Sequence, residues 1–169
     1  MSSGCCPDSR TPPLPEVREI ALADEAATTR LGQALAPCLE AGEVVLPTGN
    51  PGIGKSTPAR GQIRSLTRPD EDVPSPTFTI VQFYESAPPV AHFDLYRLED
   101  PEEIEEIGLY EALDDGAALI EWPERLGTGG PEALSPDRLS VTLAVDGTGR
   151  VARLEGTGRW VSKLKDLNV

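Results

Sequence analysis

The sequence predicts an α/β fold in which helices cover a mostly parallel central sheet, with antiparallel hairpins added to the sheet. The strand-like run Glu43 to Leu46 leads into a glycine-rich loop and then into a segment, 57–66, that can be helical. The mostly apolar run Ala117 to Trp122 contains an acid near its end, which is typical of a buried strand whose tip meets a site. The chain has 169 residues, enough for one domain with a sizeable core.

The first part of the chain predicts a leader, a strand and a helix. Residues 1–15 are rich in proline and are expected to be a flexible leader, which leaves 16–169 as a single domain. Val17 to Leu22 alternates as a strand does, and Asp24 is a suitable N-cap for the helix that follows. One face of this helix carries the recurring residues Ala27, Leu31, Leu35 and Cys38.

The glycine-rich loop from Gly49 to Ser56 reads GNPGIGKS and matches the phosphate-binding pattern GxxxxGK[ST]. Glycines allow a tight turn that aims backbone N–H groups at a phosphate, and the following helix presents the positive end of its dipole. Lys55 would reach the β- and γ-phosphates, and the Ser56 hydroxyl would bind Mg²⁺. The alternative is a surface loop that matches the pattern by chance.

The middle of the chain predicts a loop followed by a hairpin. Residues 67–74 are polar and proline-bounded, as expected of a loop. Thr77 to Tyr84 and Val90 to Leu95 are rich in β-branched and aromatic residues, and the turn Ala87-Pro88-Pro89 separates them. Both segments are therefore predicted to be strands of one hairpin.

The remaining elements are a short helix, a second hairpin and a closing helix. Pro101 to Ile107 has a proline and early glutamates, which favour a helix N-terminus, and Gly108 would end this helix. Leu139 to Val145 and Val151 to Glu155 flank a glycine-containing turn and predict the hairpin. Trp160 to Leu167 predicts the final helix.

Nucleotide hydrolysis would need an acid near the metal and a group that orients water. Glu121 and Asp94 both lie in strand-like segments, and each suits a site role as well as an ordinary polar strand position. Thr77 could sense a γ-phosphate, although a serine-proline turn also explains it. His92, the one histidine, is interpreted as a hydrogen-bonded structural group and is left outside the catalytic set.

The overall charge argues against direct nucleic-acid binding. Lys and Arg total 15 against 28 Asp and Glu, so the formal net charge is −13 and the surface repels phosphate backbones. A protein partner is the better expectation. The three cysteines lack metal-ligand spacing and are interpreted as reduced thiols, with the role of Cys5 and Cys6 left open. No apolar run approaches the ~20 residues of a membrane helix, so we expect a cytoplasmic protein without membrane contact.

Four blocks in order, GNPGIGKST, SPTFTIVQFY, HFDLYRLEDPEEIEEIG and LIEWPERL, resemble the TsaE family, formerly YjeE. The similarity runs from about Leu22 to about Arg150. It implies a P-loop NTPase-like three-layer fold that binds ATP and Mg²⁺ and hydrolyses ATP slowly when alone. It further implies docking on the TsaB and TsaD proteins, which attach threonylcarbamoyl to the adenosine beside the anticodon in tRNAs that read codons starting with A. The ATPase is expected to reset that complex between turnovers and to meet tRNA only indirectly.

The resemblance also implies roles for particular residues. The catalytic group would be Lys55, Asp94, Glu121 and Thr77, and the metal group Ser56, Glu121 and Asp94. Contacts to the nucleotide would come from Gly49, Asn50, Pro51, Gly52, Ile53, Gly54, Lys55, Ser56, Thr57, Thr28, Trp122 and Arg150.

The phosphate loop departs from the family pattern, which has an acid, a leucine and a small residue in place of Asn50, Pro51 and Ile53, and a phenylalanine in place of Pro58. Pro51 removes a loop N–H, and Pro58 disfavours α geometry at the residue before it. We expect nucleotide to bind with weakened affinity or turnover. Two alternatives stay open, a nucleotide-dependent scaffold without hydrolysis and a small-molecule kinase. The short chain and the lack of an arginine-rich lid disfavour the kinase.

Overall fold

One sheet dominates the part of the chain that the structure describes. The structure is a computed structural model and describes residues 14–49, 56–74, 76, 79–100, 102–127 and 129–169. Within these residues, seven strands pair in the order β1-β7-β6-β2-β5-β4-β3. Their bounds are β1 Glu16–Leu22, β2 Val44–Gly49, β3 Val81–Tyr84, β4 Val90–Asp94, β5 Ala117–Glu121, β6 Arg138–Asp146 and β7 Gly149–Gly156.

Most strands of the sheet point in the same direction. Strands β6, β2, β5 and β4 lie side by side and are parallel. Strand β7 is antiparallel to both β6 and β1, and β3 is antiparallel to β4. The predicted α/β fold, a mostly parallel sheet with antiparallel hairpins, is confirmed, and so are both hairpins.

Helices cover both faces of the sheet. The helices are α1 Glu25–Leu35, α2 Ser56–Leu66, α3 Glu103–Glu106, α4 Leu109–Asp115 and α5 Trp160–Asp166. In one apolar cluster, α1, α2 and α5 pack against the face of the sheet that carries the side chains of Val45 and Leu119. A second cluster joins α3 and α4 to the opposite face, where Val44 and Ile120 point. Alternation along the buried strands therefore produces a helix–sheet–helix arrangement of three layers.

Helix α1 begins as the sequence predicts. The Asp24 side chain accepts a hydrogen bond from the Ala27 backbone N–H at 2.8 Å, the N-cap geometry that satisfies one otherwise unpaired donor. Leu31 and Leu35 are fully buried on the face that meets the sheet. Cys38 follows the helix in a short 3₁₀ turn and is a free thiol, as predicted, whose pKa is raised by burial. Cys5 and Cys6 lie outside the described residues.

Pro47 lies inside a strand that has neighbours on both sides, where proline is unusual. The Val44 N–H donates to β6 at the Asp137 carbonyl, and the Glu43 carbonyl accepts from the β5 residue Ala118. Odd-numbered residues of β2 therefore direct their polar backbone atoms toward β5. Pairing with β5 ends at Val45, whereas pairing with β6 continues to Gly49. The missing donor of Pro47 thus falls beyond the β5 ladder and interrupts no observed pair.

Two segments differ from prediction. The strand expected over Thr77 to Tyr84 begins only at Val81 because Ile80 adopts the left-handed region at φ 68° and its N–H bonds back to Pro76 at 2.8 Å. The helix expected over Pro101 to Ile107 is the short α3, and Pro101 lies outside the described residues.

Helix α4 was not predicted. Gly108, expected only to stop the preceding helix, has φ 80° and is the N-cap of α4. A glycine in this conformation ends one helix and redirects the chain into the next.

A buried ion cluster attaches the closing helix to the amino end of β2. Glu43 is fully buried, and its carboxylate accepts bonds from the Lys163 ammonium at 2.6 and 2.9 Å. The Arg159 guanidinium approaches the same carboxylate at 3.3 Å. Lys163 also contacts the exposed Glu40 and lowers the pKa of that carboxyl.

The predicted leader, residues 1–15, lies almost entirely outside the described residues. Among the helices that are described, none has the length and apolar character needed to cross a membrane.

Helices α1 and α2 approach so closely that only glycine suits the contact. A Cβ on Gly32 would overlap the Pro58 carbonyl oxygen and meet the Gln62 nitrogen at 2.9 Å, and one on Gly61 would meet the Thr29 carbonyl at 2.6 Å. Because α2 directly follows the phosphate loop, this contact fixes where the helix begins.

We therefore expect Gly32→Ala to destabilise the fold by about 1–3 kcal/mol, since the helices must separate. An uncrowded glycine in a helix would instead gain about 0.5–1 kcal/mol from the same change. Urea unfolding measures the difference, with Gln33→Ala on the exposed face as the control. Stabilisation by Gly32→Ala would contradict the packing described here.

Candidate functional site

Two carboxylates end adjacent parallel strands. Asp94 is the last residue of β4 and Glu121 the last residue of β5, and they are register partners. Only 4% of Asp94 and 3% of Glu121 is exposed. The sequence suggested each acid separately, and the sheet brings them together at one edge.

This edge is also where β2 ends and the predicted phosphate loop begins. Glu121 lies two residues beyond Leu119, the register partner of Val45, and is therefore level with the last residues of β2. Glu121 shares its face with Leu119, and Asp94 shares its face with Val90, so both acids point toward the layer that contains α2. The carboxylates consequently face the helix that begins immediately after the loop.

Hydrogen bonds orient both acids. The Tyr96 backbone N–H donates to Asp94 Oδ1 at 3.0 Å, and the Leu95 N–H donates to the Glu121 carbonyl at 3.1 Å. His92 Nε2 lies 3.2 Å from Glu121 Oε1, and His92 is itself 1% exposed. When Glu121 is ionised its carboxylate can only accept, so the hydrogen of this bond is then on Nε2.

Aromatic rings follow the acids on both strands. Tyr96 and Trp122 have ring centroids 4.9 Å apart at a tilt of 51°. Trp122 adopts φ 60°, in the left-handed region, so the chain turns sharply directly after Glu121. The Arg125 guanidinium lies 5.9 Å from the Tyr96 centroid. Trp122 therefore directly follows one of the two acids.

The loop itself, residues 50–55, is outside the described residues. The strand before it and the helix after it are described. Thr48 Oγ1 and the Thr142 hydroxyl on β6 are 2.9 Å apart, which ties the end of β2 to its neighbour. Gly49 ends β2, and Thr57 is partly buried in the first turn of α2. The predicted roles that fall outside the description are those of residues 50–55, which include Lys55, of the Ser56 side chain, and of Thr77.

Pro76 and Ile80, the described residues on either side of Thr77, are connected to the site. The Ile80 N–H donates to the Pro76 carbonyl, and the Ile80 carbonyl accepts from the Asp94 N–H, both at 2.8 Å. The described residues on either side of Thr77 are thus connected to one of the two acids.

Thr28 and Arg150 lie near the edge of the sheet at which the acids lie, but they are beside β1 and β7 and not beside β4 and β5. Arg150 is the register partner of Leu22, and α1 starts three residues after Leu22. Strand β1 points in the same direction as β4 and β5, so its end shares their edge. Thr28 is buried, and its hydroxyl donates to the Asp24 carbonyl at 3.4 Å. The structure does not place either residue against the acids.

The donor set suits a magnesium ion. Mg²⁺ is commonly held by one or two carboxylates, with water and phosphate oxygens completing its shell. Asp94 and Glu121 supply two buried carboxylates at the ends of adjacent paired strands. Within the described residues no group of three or more His, Cys, Asp or Glu side chains is placed to hold a metal.

The strand order and the paired acids define an α/β protein with a P-loop-like fold. The crystal structure of Bacillus subtilis YdiB has the same fold, with a TM-score of 0.69 at 22% identity over 91% of this chain and 95% of that one.

The family model described as "Threonylcarbamoyl adenosine biosynthesis protein TsaE" matches residues 22–152. The chain therefore belongs to the TsaE family, whose proteins take part in tRNA threonylcarbamoyladenosine biosynthesis. The resemblance found in the four sequence blocks is confirmed.

Several curated TsaE proteins support this assignment. The protein from Rickettsia felis is 37% identical over 73% of this chain and 71% of its own length. The one from Nostoc sp. is 39% identical over 66% of this chain and 71% of its own. The one from Streptomyces coelicolor is 38% identical over 67% of this chain and 76% of its own.

His92 contacts Glu121, although the sequence placed it outside the catalytic set. It is two residues before Asp94 and so shares its face, a spacing visible in the sequence, but the diagonal contact with Glu121 depends on the pairing of β4 with β5. Among the described residues, Nδ1 of His92 has no hydrogen-bond partner. Nε2 is thus the ring nitrogen that makes the hydrogen bond to Glu121.

We expect His92→Leu to destabilise the protein by about 1–3 kcal/mol, because the buried Glu121 carboxylate loses a donor. His92→Gln should retain most of the stability, since its amide nitrogen reaches the Nε2 position. His92→Asn is the matched control, because its shorter amide reaches only the Nδ1 position. Urea unfolding compares the three variants, and equal stability of the Gln and Asn variants would show that the contact is unimportant.

Proposed function

We propose that the protein is an ATP-binding and ATP-hydrolysing accessory subunit of the machinery that threonylcarbamoylates the adenosine next to the tRNA anticodon. The observation that carries this proposal is the pair of buried acids, Asp94 and Glu121, at the edge where β2 leads into the phosphate loop. Family membership supports the pathway, and the P-loop-like fold supports nucleotide binding.

In this proposal, different residues of the chain bind the phosphates, bind the metal and position water. Lys55 and the loop N–H groups would hold the phosphates, and Ser56 with Glu121 would hold magnesium. When bound, magnesium would supply charge neutralisation at the phosphates. Asp94, oriented by the Tyr96 N–H, would position a water molecule. Thr77, which lies in the sequence between Pro76 and the Asp94-bonded Ile80, would respond to the γ-phosphate.

Burial strengthens the proposed electrostatics. Charge interactions are stronger where water is excluded, and both acids are almost fully buried. Backbone pairing fixes the two strand ends relative to each other, so the carboxylates need little reorganisation when a cation arrives.

The proposed partners are the TsaB and TsaD proteins rather than tRNA. The net charge of −13 opposes contact with a phosphate backbone and permits contact with a protein. ATP turnover on this subunit would reset the partner complex between modification cycles, and tRNA would be reached only through it.

A second candidate, a nucleotide-dependent scaffold without hydrolysis, is favoured by the unusual loop residues Asn50 and Pro51. Phosphate release measured with and without TsaB and TsaD separates the candidates. Release in either condition supports the ATPase, whereas tight ATP binding without release in both supports the scaffold.

We expect Glu121→Gln to lower ATP turnover about 100-fold or more while Mg²⁺-free nucleotide still binds, because the lost charge acts mainly through the metal. Lys55→Ala should weaken binding with and without Mg²⁺. Calorimetry and phosphate release measure both effects. Glu124→Gln, an exposed acid three residues later, is the matched control. Unchanged turnover in Glu121→Gln would exclude the proposed metal role.

We expect Pro51→Leu to tighten ATP binding by up to about tenfold, because it restores one backbone N–H that can donate to a phosphate. The same change at exposed Pro69, outside the loop, should leave affinity unchanged. Titration calorimetry with ATP and Mg²⁺ compares the variants. Equal or weaker binding by Pro51→Leu would show that the proline costs no phosphate contact.

A further inference from the structure

A second concave surface lies away from the paired acids. It is a cavity of about 500 Å³ between β3, the start of β4 and α4. Its apolar lining, which we call the α4 groove, consists of Phe83, Pro89, Val90, Ala91 and Ala112 together with Gly108. Among the described residues, none of those assigned above to nucleotide or metal lines it.

Phe83 is the unusual residue of this groove. It is 64% exposed although it occupies a strand. Its register partner is the buried Ala91, so the ring stands on the face that α4 partly covers. An aromatic ring at the mouth of an apolar cavity is a feature of protein-binding surfaces.

The groove adjoins an edge of the sheet. Strand β3 is last in the strand order, and no described strand pairs with its outer side. The unpaired backbone groups of an edge strand can bind an added extended segment, whose side chains then enter a neighbouring pocket.

Charge at the mouth of the groove is of one sign. Glu85, Glu111 and Asp115 are exposed residues of the lining, and none of the described lysines, arginines or histidines belongs to it. A segment that places an apolar side chain in the cavity would therefore be complemented by lysine or arginine at its flanks.

We propose that the α4 groove docks a segment of the TsaB–TsaD partner that carries an apolar anchor flanked by basic residues. This inference rests on the proposed function for the identity of the partner. The groove contacts Val90 and Ala91 at the start of β4, whereas Asp94 ends that strand, about 10–13 Å further along at the usual rise per residue. Groove variants should therefore leave nucleotide binding intact.

The test measures binding of the full chain to the cognate TsaB–TsaD complex by calorimetry. Phe83→Ser and the double variant Glu85→Lys/Asp115→Lys should each weaken binding by about tenfold or more. Matched controls lie elsewhere: Val145→Ser, a residue 72% exposed, and the double variant Glu19→Lys/Asp166→Lys. Like Asp115, Asp166 is the last residue of its helix. ATP binding by every variant reports an intact fold.

The outcomes separate this inference from the proposed function. Wild-type binding that only the groove variants weaken supports the docking surface. Wild-type binding that all variants retain overturns the groove and leaves the proposed function standing. A wild-type chain that does not bind overturns the proposed docking as well. If the chain forms a dimer that Phe83→Ser dissolves, measured by ultracentrifugation, the occupant is a second copy and the assignment to the partner is wrong.

Discussion

Parallel pairing of β2, β5 and β4 is the constraint on which the site depends. Strands that run in parallel end at the same edge, so the carboxyl ends of these three bring together residues far apart in the chain. Gly49, Asp94 and Glu121 meet there because each closes its strand. The helices on either face then bury the sheet and exclude water from the two acids.

Burying two carboxylates side by side is costly unless each finds partners. Backbone N–H groups and the His92 ring provide part of that compensation, and a bound cation would provide more. The fold therefore buries both acids at the edge of the sheet where β2 also ends. The groove beside α4 is different in kind, since it is apolar with acids only at its mouth.

Much of the architecture was predictable because local patterns and the fold agree. The Asp24 cap, the two hairpins and the buried β5 each follow from short-range chemistry that tertiary contacts do not override. The predictions failed where a single residue with a positive φ redirected the chain. Ile80 shortens β3 through a left-handed turn, and Gly108 begins a helix as well as ending one.

The sequence by itself determined the fold class and that Asp94 and Glu121 occupy strands, because alternation and apolar runs are local properties. Only the tertiary structure decided that Asp94 and Glu121 are register partners, that His92 contacts Glu121, and that Pro47 can occupy an inner strand. These facts depend on which strands pair and in which register. Register is fixed by packing across the whole sheet and cannot be read from any single segment.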